Sequence, residues 1–195
     1  EFRRVLFRSV DGYNSYFLND YERLAEVARH EPPAAQHKAF TRIGAHTTLP
    51  DMEVANALNV TELVTCGPIE GPGLTMLVER DDLRVYRNAH ARGRVAVRCD
   101  ETREDPERLS QTCAAGEQIE ILAADQPTGR LRFRVALPAA HTLLLSEPYY
   151  PERRAWIDGV ESPVRRADIA LSAIDVAAGT HLVEVRFVPT DRKIT

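Results

Sequence analysis

The sequence lacks the short motifs that mark the commonest enzyme chemistries. It has no Gly-rich phosphate loop, no GxSxG nucleophile turn and no GxGxxG dinucleotide fingerprint. Its densest apolar runs, such as "LTMLV" and "TLLLS", have the length of a strand and fall far short of the roughly 20 residues of a membrane helix. The sequence itself therefore gives no support to a nucleotide-dependent enzyme, an α/β-hydrolase or a membrane span within these 195 residues.

Cysteine is scarce, and its spacing fits no zinc or CxxC site. Cys99 and Cys113 flank the polar segment "DETREDPERLSQT". They either form a disulfide, which the chain-entropy model values at about 3 kcal/mol, or are two separate thiols. Cys66 stays unpaired in both cases. The six His residues are scattered without metal-ligand spacing, so we expect no metal and no cofactor.

The charge is nearly balanced, with 25 basic and 29 acidic residues interspersed and a net charge of −4. This pattern describes a solvated surface and argues against nucleic acid as a partner. With 44% hydrophobic residues the chain is long enough to bury a substantial core.

The first 60 residues differ in pattern from the rest. Residues 1–9, "EFRRVLFRS", resemble translated sequencing-adapter sequence, so they are either a non-native segment or a genuine basic edge strand. Residues 10–60 read as helix and loop, with a helix over 16–30 and a second over 50–60 capped by Asp51. We expect this part to form one compact unit with residues 61–195.

From residue 61 onward the chain alternates with the period of β-strands, and Gly, Pro and Asp separate the runs. In "RLRFRVALP" every second residue is apolar, and Arg occupies the positions between, which indicates one buried and one solvated face. "ADIALSAIDV" (167–176) and "HLVEVRFVP" read as two further strands. The predicted fold is mainly β, an antiparallel β-sandwich of jelly-roll or Ig-like type, with one or two short N-terminal helices.

The stretch "LSEPYYPERRAWIDGVESPV" holds the candidate binding residues. Tyr149, Tyr150 and Trp156 either stack on sugar rings or pack into the corner and core of the sandwich. Four Arg residues are expected either to converge across the Asp-Gly hairpin and bind an anion or to line a solvated strand face: Arg153, Arg154, Arg165 and Arg166. No carboxylate pair stands out as catalytic, so the predicted catalytic set is empty.

The segment 143–189 resembles the C-terminal extracytoplasmic domain of bacterial YfhO-type membrane proteins. In that family a strand precedes "S-x-x-YYPGW-x-A-x-x-DG", which is followed by "V-x-AG-x-H-x-V-x-F-x-Y-x-P". The positions shared with this pattern include Ser146, Tyr149, Tyr150, Pro151, Ala155, Asp158, Gly159, Ala178, Gly179, His181, Val183 and Pro189. Upstream, "ANALNVTELVT" and "LRVYRNAHARGRVAV" are similar to the family's "LL-x-LNVRYVV" and "vYeNp-x-alPRAfl" segments. The family's Gly-Trp after "YYP" is Glu152-Arg153 here.

The resemblance implies a parent protein with many membrane helices, similar to GT-C-type glycosyltransferases that use lipid-linked sugars. The catalytic acids of such enzymes lie on loops outside the present chain, and a membrane helix is expected soon after Thr195. The resemblance therefore implies a non-catalytic domain on the extracytoplasmic face of the membrane. Its expected partners are the membrane-embedded part of the same parent and a glycan or lipid-linked sugar; the alternative is a stand-alone carbohydrate-binding module.

Overall fold

The structure is a computed structural model that describes residues 51–81, 83–99, 108–114, 116–125 and 130–188. The helix predicted over 16–30 and the segment 1–9 lie outside the described residues. The chain forms two compact units, the first ending at Arg94 and the second beginning at Val95. The strands of residues 62–88, which the sequence pattern grouped with the sandwich, therefore belong to the first unit.

Between residues 51 and 94, where the structure describes the first unit, it has one short helix, α1 (Met52–Ala57), and one antiparallel sheet. As predicted, Asp51 caps the helix: its carboxylate accepts hydrogen bonds from the backbone N–H groups of Glu53 and Val54, at 2.9 and 3.3 Å. Asn59 ends the helix with a left-handed backbone (φ 57°), a conformation that Asn tolerates well. The sheet has the order β1-β3-β2, with β1 at Glu62–Thr65, β2 at Leu74–Arg80 and β3 at Leu83–Asn88.

The second unit is built from two antiparallel sheets. The four-stranded sheet has the order β10-β11-β7-β4, with β4 at Val95–Val97, β7 at His141–Pro148, β10 at Arg165–Ala167 and β11 at Leu171–Val176. The five-stranded sheet has the order β5-β6-β12-β8-β9, with β5 at Gln118–Asp125, β6 at Arg130–Leu137, β8 at Arg153–Ile157, β9 at Val160–Ser162 and β12 at Gly179–Phe187.

Side chains from both sheets of the second unit share one apolar core. Strand β6 shows why: the four residues of its inner face, from Leu131 to Leu137, are at most 4% exposed, whereas Arg130 and Arg134 on the other face are exposed. Phe133 at the centre is fully buried, beside residues of β7, β11 and β12. The prediction of a mainly β protein with an antiparallel sandwich is confirmed.

One predicted strand is wrong in its extent. The run "ADIALSAIDV" is divided by a turn, Asp168–Ala170, so that β10 ends at Ala167 and β11 begins at Leu171. Asp168 and Ile169 adopt a left-handed backbone, with φ of 48° and 70°. The fully buried Asp168 accepts a hydrogen bond of 2.7 Å from the backbone N–H of Ser110 through its carboxylate. Neither Gly nor Pro marks this turn. The apolar pattern was therefore taken as one continuous strand.

Candidate functional site

Trp156 lies on the outer face of the five-stranded sheet. Of the two alternatives for this ring, packing into the sandwich core is wrong, because the neighbouring Ala155 is the fully buried residue and Ile157 packs against the core. Alternation along β8 then turns Trp156 outward, where it is partly exposed. The guanidinium carbon of Arg186 lies 4.2 Å from the centroid of the Trp156 ring, which makes a cation–π contact.

The outer face of this sheet also carries ion pairs. Arg130 pairs with Glu184 at 2.8 Å, Arg134 with Glu120 at 2.6 Å, and Arg154 with Glu161 at 3.4 Å. The hydrogen bond from Arg130 is the main cause that holds the pKa of Glu184 below its ordinary value. Arg154 and Arg186 are direct partners in the β8–β12 register, so two like charges lie side by side next to the Trp ring.

Arg153 is on the opposite face of the same strand and points inward. Its side chain is 6% exposed, and Nη2 lies 3.5 Å from Oε2 of Glu147. In the β8–β12 register its partner is Phe187, whose ring meets that of Tyr150 edge-on, with centroids 6.1 Å apart. Arg153, Tyr150 and Phe187 together are called the Arg153 corner below.

The two tyrosines begin the connection that leads into β8. The backbone N–H of Tyr149 donates to the carbonyl of Ala170 at 2.8 Å, and the carbonyl of Tyr150 accepts from the N–H of Arg153 at 2.9 Å. Both side chains are partly buried. The backbone of this pair therefore shapes the corner, while the Tyr150 ring takes part in the Arg153 corner.

The four arginines of the candidate site do not share one face. Arg153 points into the sandwich and Arg154 away from it, whereas Arg165 and Arg166 belong to β10 in the other sheet. Arg165 pairs with Asp175 of the neighbouring strand at 2.6 Å. Neither alternative holds for all four. They do not converge on one anion site, because alternation along β8 separates Arg153 from Arg154, and the buried Arg153 does not line a solvated face.

Asp158 and Gly159 form the predicted hairpin turn between β8 and β9, with φ of 52° and 84°. Oδ1 of Asp158 accepts the backbone N–H of Leu182 at 2.8 Å, and Oδ2 lies 2.7 Å from Nδ1 of His181. The Leu182 N–H and the His181 ring hold the pKa of Asp158 below its ordinary value. The turn is thereby tied to β12.

His181 faces an acceptor with each ring nitrogen. Nδ1 meets the Asp158 carboxylate, and Nε2 lies 3.3 Å from the carbonyl oxygen of Ala178. A carbonyl and an ionised carboxylate can only accept, so this arrangement favours the doubly protonated ring. The hydrogen bond with Asp158 raises the pKa of His181, against the opposing effect of partial burial.

Cys99 and Cys113 are joined in a disulfide, with their Cα atoms 5.4 Å apart. Backbone hydrogen bonds run beside it, from the N–H of Cys99 to the carbonyl of Gln111 and from the N–H of Cys113 to the carbonyl of Val97. Cys66 is a free, exposed thiol.

In the first unit Asn88 is a buried polar residue that sequence reasoning did not single out. It is 4% exposed and its side-chain nitrogen donates to Oδ1 of Asn56 at 2.8 Å and to the carbonyl of Val60 at 2.9 Å. Its side-chain oxygen accepts the N–H of His90. The available signal was the position itself, since Asn88 occupies the Asn of the "vYeNp" segment named above.

Glu147 and Phe187 were also missed as site residues. The period-2 pattern did place Phe187 on the face of Val183 and Val185, but no local pattern links Glu147 on β7 with Arg153 on β8. Such a pair depends on how two sheets face each other.

No family model, no curated protein and no solved structure matches this chain. Over the part of the chain that the structure describes, no three His, Cys, Asp or Glu residues are grouped to hold a metal ion. The described residues also include no helix long and apolar enough to cross a membrane.

Proposed function

We propose that this chain is a non-catalytic extracytoplasmic part of a YfhO-type polytopic membrane protein, a GT-C-like glycosyltransferase that uses a lipid-linked sugar. Its role is to engage the acceptor glycan beside the membrane-embedded part of the same parent. The site of bond formation belongs to that membrane part. The chain here contributes a rigid β scaffold with an aromatic and cationic outer face.

The observation that carries this proposal is the contact between Asp158 and His181. These residues come from two separate segments of the resemblance, the "DG" turn and the "AG-x-H" step, which are 23 residues apart. In the fold they meet at 2.7 Å and fasten the β8–β9 turn to β12. Because the two motif positions contact each other in the fold, together they support the resemblance more strongly than either motif does alone.

The encoding gene provides the direct test. Its reading frame would be recovered with the flanking sequence, and alkaline phosphatase would be fused to the full-length product after residue 188. We expect membrane helices encoded upstream of residue 10 and an active phosphatase, since that reporter folds only outside the cytoplasm. A longer frame without upstream membrane helices, or an inactive phosphatase beside an active cytoplasmic reporter at the same position, would overturn the proposal.

The second candidate function is a stand-alone carbohydrate-binding module. Trp156 favours it, because this indole is partly exposed on the outer face of the sheet, beside the Arg186 guanidinium. On a glycan array, binding that is lost in Trp156→Ala and kept in a Tyr149→Ala, Tyr150→Ala double variant would locate the glycan on the outer face. Absence of binding to every glycan would count against the module.

A further inference from the structure

Arg153 has a buried guanidinium with incomplete hydrogen bonding. Its side chain is 6% exposed, and neither Nε nor Nη1 has a hydrogen-bond partner among the residues that the structure describes. Buried polar groups in native proteins are almost always paired, and an unpaired buried donor carries the full cost of its lost hydration. These two donors therefore require an explanation.

Glu147 does not supply it. The carboxylate approaches only Nη2, at 3.5 Å, whereas charge-assisted hydrogen bonds between a guanidinium and a carboxylate measure about 2.7–2.9 Å. The usual arrangement of such a pair is two parallel hydrogen bonds. Glu147 balances the charge of Arg153 but leaves Nε and Nη1 unused.

Two aromatic residues belong to the same corner as Arg153. Phe187 is the direct register partner of Arg153 on the same inward face, and 42% of its surface is exposed. Tyr150 meets Phe187 edge-on, so the two rings stand almost perpendicular, with an interplanar angle of 83°. A ligand that reached Nε and Nη1 would therefore lie against an apolar ring face with a phenol beside it.

We propose that the Arg153 corner binds the anionic group, a carboxylate or a phosphate, of an acidic sugar. The planar donors of Arg match both groups, and the Phe187 ring packs against the sugar. Entry requires a local rearrangement of side chains at the corner, since Nε and Nη1 are buried in the present conformation. The proposal rests on the proposed function only in its choice of a sugar as the carrier of the anion.

The test follows the Arg153 Nε–H signal by NMR in the whole chain during titration with glucuronate, acetate, inorganic phosphate or glucose. We expect saturable shifts with glucuronate, weaker ones with acetate, and none with glucose. Equal responses to glucuronate and acetate would keep the anion site but overturn the sugar as its carrier. Phosphate binding tighter than glucuronate binding would assign the anionic group as a phosphate and overturn the carboxylate. No saturable shift with any of the three anions would overturn the proposal altogether.

Two variants locate the response. Arg153→Lys keeps the charge beside Glu147 but removes the planar donors, and we expect glucuronate affinity, measured by calorimetry, to fall about tenfold. Arg84→Lys is the control: it makes the same change on β3 of the first unit, where Arg84 pairs with Glu79, and we expect unchanged affinity. Equal losses in the two variants, or none in Arg153→Lys, would contradict the assignment. Thermal unfolding of both variants confirms that the fold is intact.

Discussion

Nδ1 of His181 lies 2.7 Å from Oδ2 of Asp158, and this contact holds the β8–β9 turn against β12. These contacts link the stability of the second unit to pH. The Asp158 carboxylate raises the pKa of His181, and the Leu182 N–H, followed by the His181 ring, lowers the pKa of Asp158. The raised His181 pKa contributes stability that is complete below 6.5 and is lost as the pH rises through the folded-state value. The lowered Asp158 pKa contributes stability that is complete above 3.8 and is lost as the pH falls through its folded-state value.

We therefore predict that His181→Gln lowers the free energy of unfolding more at pH 5 than at pH 8. Urea titrations at both pH values measure the difference. Asp158→Asn is the control, since Asn keeps the left-handed turn and an acceptor for the Leu182 N–H but removes the charge. In that variant NMR should show the His181 pKa near its ordinary value. A His181 pKa as high as in the wild type would contradict the pairing.

Loss of the Cys99–Cys113 disulfide should destabilise the second unit. In the double variant Cys99→Ser, Cys113→Ser the segment between the two residues gains conformational freedom in the unfolded state. We therefore expect the free energy of unfolding to fall by about 2–4 kcal/mol. Denaturant unfolding measures this loss. The exposed Cys66, changed to Ser, should leave stability unaltered. The unreduced chain should show one reactive thiol, and three would contradict the bond.

Asn88 is expected to hold the helix and sheet of the first unit together. In Asn88→Asp the side chain loses the two N–H bonds it donates and places a carboxylate oxygen near the acceptors of Asn56 and Val60. We expect a loss of at least about 1–3 kcal/mol in the free energy of unfolding, which is the usual cost of an unsatisfied buried group. Hydrogen exchange at the amides of β3 measures it.

A control for that variant is Asn59→Asp, which keeps a side-chain acceptor for the N–H of Gly93. Its amides in β3 should exchange as in the wild type. If hydrogen exchange were accelerated equally in both variants, the added negative charge, and not the loss of the Asn88 hydrogen bonds, would explain the change in stability.

Trp156 is the only Trp in the chain, so its fluorescence reports on the outer face of the five-stranded sheet. Removing the guanidinium in Arg186→Ala should make the indole more accessible to acrylamide, because that group now lies 4.2 Å above the ring. The accompanying loss of stability should be about 0.5–1 kcal/mol, as for other exposed cation–π pairs. Arg134→Ala, which removes the partner of Glu120 instead, should leave quenching unchanged.

The sequence was sufficient for the strands but not for the orientation of every side chain. In β6 four apolar residues alternate with Arg, so pattern and burial agree without ambiguity. In β8 alternation alone does not say which set of side chains faces the core. Either Arg153 and Ala155 point inward, or Arg154 and Trp156 do. The large apolar ring of Trp156 favoured the second arrangement. The first arrangement is the observed one, because the small Ala155 fits the fully buried position and Arg153 reaches Glu147 across the sandwich.

The turn at Asp168–Ala170 escaped prediction for a different reason. Left-handed backbone is usually signalled by Gly or Asn, whereas here Asp168 and Ile169 adopt it. Asp168 is bound to the backbone of Ser110, 58 residues earlier. A contact over that separation leaves no local trace in the sequence.

The position of β12 has a consequence for how the second unit assembles during synthesis. β12 is the last of the described strands along the chain, yet it lies in the middle of its sheet, hydrogen-bonded to β6 on one side and β8 on the other. Until it leaves the ribosome, β5–β6 and β8–β9 can exist only as separate hairpins with unpaired inner edges. The nascent chain must therefore remain open, with those edges exposed to chaperones, until Phe187 has emerged.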